Sequence, residues 1–253
     1  MDLKGRTALV TGASRGLGRS IAERLAGAGA LVAVNYATNR EAADETVARI
    51  EAAGGKAFAV QATLGGTAGA GQLVQTLDAE LLRRTGAARL DILVNNIGGG
   101  EHMRILDVDE AAFDQAFANN VRGAFFLTQA LHGRLADFGR VINLSSAGSR
   151  LTDPGIIVYT MAKAAVEAFT RVLAAELGPR GITVNSVAPG FTAGETNAHV
   201  TDDPQAARQV TDATALRRFG TPEEIADIVY ALASPLGRWV TAQNIEASGG
   251  FKL

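Results

Sequence analysis

Apolar residues in this chain gather in short runs, separated by longer stretches in which apolar positions return every three or four residues. The runs at Thr7–Val10, Leu31–Tyr36, Lys56–Gln61 and Leu90–Asn95 are bounded by glycine, asparagine or charged positions and read as buried strands. Later runs, R-V-I-N-L-S-S, residues 181–188 and residues 243–247, read the same way. Between them, R-S-I-A-E-R-L-A-G-A-G, Q-L-V-Q-T-L-D-A-E-L-L-R-R, V-Y-T-M-A-K-A-A-V-E-A-F and T-P-E-E-I-A-D-I-V-Y-A-L-A carry helical spacing. Strand and helix in alternation predict an α/β chain built on a parallel sheet.

Three stretches break the alternation. Residues 62–71, A-T-L-G-G-T-A-G-A-G, read as a glycine-rich loop. Residues 111–131 read as one apolar helix interrupted by Asn119, Asn120 and Gly123; an asparagine pair in mid-helix points to a local role for at least one of them. Residues 191–215 carry little regular apolar pattern after the sixth strand, and their length and polarity suit a substrate lid. There is no repeat, heptad or linker that would divide the 253 residues, so one domain over 1–253 is expected.

Composition narrows the function classes. A net charge of −2 provides no basic field for nucleic acid. The absence of cysteine removes disulfides and thiolate metal sites. No stretch approaches a transmembrane run, and the opening M-D-L-K-G-R lacks the apolar core of a signal peptide, so a cytoplasmic protein without a membrane partner is expected. His102, His132 and His199 are too scattered to suggest a metal site, and Trp239 is expected to serve packing.

The candidate chemistry lies in residues 146–163. Tyr159 and Lys163 stand four apart and share a helix face. A free phenol titrates near pH ~10, and a nearby cation is expected to lower that value, leaving a tyrosine able to exchange a proton with a substrate oxygen. Ser146, at the end of its strand, could hold the same oxygen. Near the N-terminus, T-G-A-S-R-G-L-G follows the first strand and opens a helix, where Gly12, Gly16 and Gly18 let backbone amides approach a phosphate. The second strand ends Asn35, Tyr36, Ala37, Thr38, Asn39, with Arg40 beyond and Arg15 in the glycine loop. No carboxylate guards the ribose position, which favours NADP over NAD.

Together T-G-A-S-R-G-L-G, N-N-I-G at Asn95, N-V-R-G at Asn120, Ser146, Y-T-M-A-K at Tyr159 and P-G at Pro189 resemble the short-chain dehydrogenase/reductase family over essentially the whole chain. The resemblance implies a single-domain, Rossmann-like, doubly wound parallel sheet with helices on both faces. It also implies a catalytic set of Asn120, Ser146, Tyr159 and Lys163. Of the pair Ser145 and Ser146, the latter lies thirteen positions before Tyr159, as the family's serine does. In family terms Ser146 positions the carbonyl, Tyr159 is the acid or base, Lys163 tunes it and binds ribose, and Asn120 holds a water in a proton path. The resemblance lays the cofactor along Gly12, Ser14, Arg15, Gly16, Leu17 and Gly18. It continues through Asn35, Tyr36 and Thr38, then Thr63, Leu64, Asn95 and Gly98, to Tyr159, Lys163, Pro189, Gly190, Phe191 and Thr192.

Two positions depart from the family pattern: Thr63 stands where an aspartate usually binds adenine, and Ile97 replaces the alanine of N-N-A-G. Among family members the chain most resembles 3-oxoacyl-carrier-protein reductases and related ketoreductases. The expected function is therefore an NADPH-dependent carbonyl reductase. An NAD-dependent dehydrogenase of a secondary alcohol or polyol and a non-catalytic NADP-binding sensor are the alternatives. Loops 98–106, 147–157 and 191–215 are expected to line the pocket. Apolar residues around the helices near 111–131 and 159–176 suggest a homotetramer. The substrate is expected to be a ketone of 3-oxoacyl or polyketide type; Asp137 dilutes the arginines expected near the site entrance, which favours a free or small-thioester ketone over an obligatory carrier-bound acyl chain.

Overall fold

Along the first strand, Ala8 and Val10 point into one core and Leu9 into another, so a four-residue segment with no polar side is buried on both faces. The same division recurs in the second strand, where Val32 and Val34 join the first core and Ala33 the second. The computed structural model describes residues 3–253. Its strands are β1 (Thr7–Val10), β2 (Leu31–Tyr36), β3 (Lys56–Gln61), β4 (Leu90–Asn95), β5 (Leu135–Leu144), β6 (Thr183–Pro189) and β7 (Asn244–Ala247). They form one seven-stranded parallel sheet in the order β3-β2-β1-β4-β5-β6-β7. The order reverses between β1 and β4, and the crevice at their carboxyl ends is where such sheets take ligands.

The α-helices are α1 (Gly16–Gly27), α2 (Arg40–Ala52), α3 (Thr67–Thr85), α4 (Glu110–Phe117), α5 (Gly123–Leu131), α6 (Ile157–Leu177), α7 (Ala198–Thr201), α8 (Pro204–Asp212) and α9 (Pro222–Ala233). Buried residues of α1, α2 and α9 cover one face of the sheet, and those of α3, α5 and α6 cover the other. This is a single α/β domain with the expected doubly wound arrangement. Each leucine buried in full, such as Leu73 or Leu127, contributes roughly 1.5–3 kcal/mol relative to exposure. Helix starts follow from their caps: Thr221 and Glu224 form a reciprocal capping box with Pro222 at the first helical position. No helix of the described residues is long and apolar enough to cross a membrane.

Four expectations change. The glycine-rich stretch 62–71 is not all loop, because α3 begins at Thr67 and takes in Gly69 and Gly71. A Cβ on Gly69 would lie 1.9 Å from the Thr63 carbonyl oxygen, so glycine there lets the helix start against the end of β3. The helix expected over 111–131 is divided by a π-helical turn, Ala118–Arg122, whose wider winding contains Asn120. Residues 191–215 are more ordered than their pattern suggests, since they hold the 3-10 turn Glu195–Asn197 and both α7 and α8. Trp239 does not pack within the chain: it is 93% exposed.

Candidate active site

The site forms where β5 runs into the start of α6. Ser146 has extended backbone (φ −162°, ψ 147°) and caps the 3-10 turn Ala147–Arg150, its Oγ accepting the Gly148 amide at 3.0 Å. That turn returns the chain toward α6, where the Tyr159 hydroxyl shares a hydrogen bond with Ser146. Lys163, one turn further along, is buried and donates from Nζ to the Leu144 carbonyl at 2.9 Å; Nζ lies 5.7 Å from the centroid of the Tyr159 ring. Ser145 points away from the cleft and donates to Glu167 at 2.7 Å, which leaves Ser146 as the hydroxyl beside the tyrosine.

The fourth member of the set arrives from the π-helical turn. Buried Asn120 donates from Nδ2 to the carbonyls of Gly99 (2.7 Å) and Ala116 (2.8 Å) and accepts the Gly99 amide at 3.1 Å. The loop after β4 therefore runs directly over Asn120, Lys163 and Tyr159. A Cβ on Gly98 would lie 2.6 Å from Lys163 Nζ and 2.7 Å from Asn120 Oδ1, and one on Gly100 would lie 2.7 Å from the Tyr159 ring. Further out, Met103 donates to the Gly155 carbonyl at 2.6 Å, so the loops 98–106 and 147–157 close on each other beside the tyrosine.

The titration behaviour differs from the sequence expectation. Burial raises the Tyr159 pKa above its ordinary 10.0, and the Ser146 hydrogen bond only partly opposes that. Lys163 does not offset that rise, and burial pushes the lysine itself from 10.5 down to about 8. The phenol is accordingly protonated at neutral pH, as a proton donor requires.

The sign of the linkage for Lys163 is definite. Between pH about 8 and 10.5 the unfolded chain holds more protons at this lysine than the native chain does, so this group makes stability rise with pH across that window. In chemical denaturation, the stability difference between the Lys163→Met variant and the parent should favour the variant most below pH 8 and shrink as pH approaches 10. A difference that stays flat from pH 7 to 10 contradicts the burial argument.

At the other end of the crevice, the glycine loop is shaped for a phosphate. Gly12 and Gly16 take positive φ (61° and 55°), and a Cβ on Gly18 would sit 2.3 Å from the Gly12 carbonyl oxygen. The first turn of α1 contains no acidic residue and has no side-chain cap, so its first amides are left to a ligand or solvent. Asn35 and Asn95 lie behind this surface. Asn35 accepts the Gly12 amide and donates to the carbonyls of Val60 and Ala62, while Asn95 donates to Thr128 and Asn143. Both are buried and shape the crevice from beneath. Tyr36 is buried too, whereas Thr38 and Thr63 are exposed along the crevice and Leu64 is buried beneath it. Pro189 ends β6, Gly190 follows it, and Phe191 and Thr192 continue at the entrance to residues 191–215.

Sequence reasoning did not single out Thr11 and Asn96 as a brace. Thr11 Oγ1 accepts the amides of Asn96 and Ile97, and Asn96 Nδ2 donates to the carbonyls of Thr11 and Gly12. The signal was present in T-G-A and N-N-I-G, which quote both residues, but their pairing across β1 and β4 depends on the sheet order.

Residues 12–252 match the family model described as enoyl-(acyl carrier protein) reductase. The chain belongs to the short-chain dehydrogenase/reductase family. It is 37% identical over 254 residues to a 3-oxoacyl-[acyl-carrier-protein] reductase of Synechocystis sp., covering 99% of this chain and 98% of the relative. Among solved structures, the reductase LugOII, described as catalysing keto-reduction at C1 during lugdunomycin biosynthesis, superposes with a TM-score of 0.94 at 45% identity over 100% of both chains. The landomycin C-6 ketoreductase LanV with bound NADP and rabelomycin superposes with a TM-score of 0.91 at 43% identity, covering 99% of this chain and 98% of that one. As a short-chain dehydrogenase/reductase, this chain is an oxidoreductase acting on CH–OH or C=O groups, and its likeness is to ketoreductases.

Proposed function

We propose that this oxidoreductase uses NADPH to reduce a ketone of polyketide type, presented free or as a small thioester. The observation that carries this reading is the convergence of Ser146, Tyr159 and Lys163 at one end of a crevice whose other end has no carboxylate after β2. The glycine cradle fits a pyrophosphate: its positive-φ glycines and the tight Gly12–Gly18 approach keep side chains out of the space at the uncapped start of α1. Bound there, NADPH would supply the hydride. Ser146 orients the carbonyl oxygen, the protonated Tyr159 hands it a proton, and Asn120 with Lys163 forms the polar floor along which that proton is replaced. The test is loss of nicotinamide absorbance with β-keto esters, quinones and polycyclic aromatic ketones. Absence of turnover on all of them, with NADPH bound, would sink the proposal.

For the choice of nucleotide, Arg15 is the residue to test. Its guanidinium is exposed at the start of α1, with Glu195 at 3.7 Å. An ion pair so exposed contributes at most about 1 kcal/mol, so a phosphate carrying nearly two charges should displace the glutamate and take paired hydrogen bonds. Arg15→Ala is expected to raise KM for NADPH roughly tenfold or more and to leave KM for NADH within about twofold. Equal changes for both nucleotides would move the discrimination to Thr38 or Arg40.

The preference for a free ketone is supported by the state of Arg180. It donates to Asp137 at 2.9 Å, to the His132 carbonyl at 3.0 Å and to the Leu135 carbonyl, and is thus not available to an acidic carrier protein. We also propose that the chain assembles as a homotetramer. Phe113 (37%), Phe125 (42%) and Val172 (70%) are exposed on α4, α5 and α6, where Phe113 stacks on Phe117 and Phe125 meets Phe169. Light scattering at micromolar concentration should give four times the chain mass of 26.2 kDa, and a monomer would end this proposal.

A further inference from the structure

Arg150 closes the 3-10 turn that Ser146 opens, yet none of its side-chain bonds is to that turn. Nε and Nη2 donate to the two carboxylate oxygens of Glu246, each at 2.6 Å; Nη1 donates to the Lys252 carbonyl at 3.0 Å and Nη2 also to that of Phe251 at 2.6 Å. Every guanidinium nitrogen is used, and all the partners lie in β7 or in residues 248–253. Paired bonds of this kind fix direction as well as distance.

What Arg150 grips is itself packed on the rest of the cleft. Residues 249 and 250 are glycines with positive φ (62° and 76°), which turn the segment back across the sheet edge. There Ala215 and Leu216 donate to the carbonyls of Gly250 and Gly249, and Lys252 donates to that of Ala213, so the segment holds the far foot of residues 191–215. Phe251 is buried and meets the Phe191 ring edge-on at 5.1 Å. A Cβ on Gly190 would lie 2.7 Å from the Ser248 Cα, which puts this segment against the loop that leaves β6. Residues 248–253 thus touch the loop 189–192 and the foot of the lid, and Arg150 ties the serine turn to both.

We propose that Arg150, through Glu246, is a positioning residue: it sets Ser146 in register with the loop 189–192, and so sets the ketone carbon against the hydride donor. This role rests on the ketoreductase reading of the site. A displacement of about an ångström at a reacting centre can reduce turnover roughly a hundredfold, whereas a partly exposed ion pair adds little to global stability. Turnover should therefore respond more than folding does.

The experiment compares Arg150→Gln, Arg150→Lys, Glu246→Gln and the double variant Arg150→Gln/Glu246→Gln. Each is read by thermal midpoint, NADPH affinity from nicotinamide fluorescence, kcat and KM for the best ketone, and amide hydrogen exchange. Both glutamine variants should keep NADPH affinity within about twofold and lose roughly 10- to 100-fold in kcat, with faster exchange in 147–151 and 248–253. The lysine variant should recover part of kcat, and the double variant should be no worse than either single one, because one link has been cut twice. Unchanged kcat in either single variant, additive losses in the double, or a fall in NADPH affinity equal to the fall in kcat would each overturn the proposal. If the parent chain reduces no ketone, the ketoreductase reading fails. Exchange then still decides the link, and unchanged exchange in 147–151 on Arg150→Gln overturns it.

Discussion

Tyr159→Phe should lower kcat for ketone reduction by about 10²- to 10⁴-fold while leaving NADPH affinity nearly unchanged. The substitution keeps the ring that packs beneath Gly100 and removes only the hydroxyl shared with Ser146. Burial holds that hydroxyl in its protonated form at neutral pH, and a carbonyl oxygen that gains a hydride must gain a proton as well. Two neighbouring donors are engaged elsewhere: Lys163 donates to the Leu144 carbonyl, and Asn120 donates to Gly99 and Ala116. In the parent, the rate of reduction should fall on the alkaline side as Tyr159 and Lys163 lose protons. The phenylalanine variant should lack the tyrosine part of that limb. A variant with kcat within tenfold of the parent would remove Tyr159 from the chemistry and revive the reading of a non-catalytic NADP-binding sensor.

The other large effect is expected at Gly18, where the change is one methyl group. An alanine Cβ would come within 2.3 Å of the Gly12 carbonyl oxygen and 2.6 Å of Asn96 Nδ2, and neither can retreat freely, since both belong to the brace between β1 and β4. Overpacking strain of about 1–3 kcal/mol, relieved by opening the loop, corresponds to roughly a 5- to 150-fold loss of NADPH affinity. Gly27→Ala, with nothing within 4 Å of its Cβ position and ordinary φ, is the matched control and should bind NADPH as the parent does. Isothermal titration of the two variants settles the matter, and equal affinities would mean that the loop yields without consequence.

The first four strands are legible in the sequence because the middle of each is buried on both faces and therefore reads as a short, mostly apolar stretch, even though β3 begins and ends on the exposed Lys56 and Gln61 and β4 carries Asp91. The start of α3 is not, because Gly69 and Gly71 are poor helix formers, and only the approach to Thr63 explains the first of them. Asn120 stood out as a mid-helix asparagine, yet the widened turn around it is a matter of winding that residue types do not announce. The motif residues Asn35 and Asn95 are visible as letters, but which way they face depends on the sheet. Arg150 and Glu246 lie 96 residues apart and have no local signature at all. The direction of the Tyr159 shift was missed for a similar reason: spacing shows the neighbouring cation, and only the packed fold shows how much water both groups have lost.

Trp239, exposed as it is, provides a spectroscopic handle. It is the single tryptophan of the chain, and it stands in the 3-10 turn Pro235–Trp239 that leads toward β7. In the isolated chain its emission should resemble that of an indole in water, and unfolding should barely move it. A blue shift with rising protein concentration would then report docking of another surface onto this turn, free of any contribution from the folded core. With no cysteine in the sequence, a thiol introduced at a chosen position would accept one acceptor dye, and energy transfer from this indole would measure the approach.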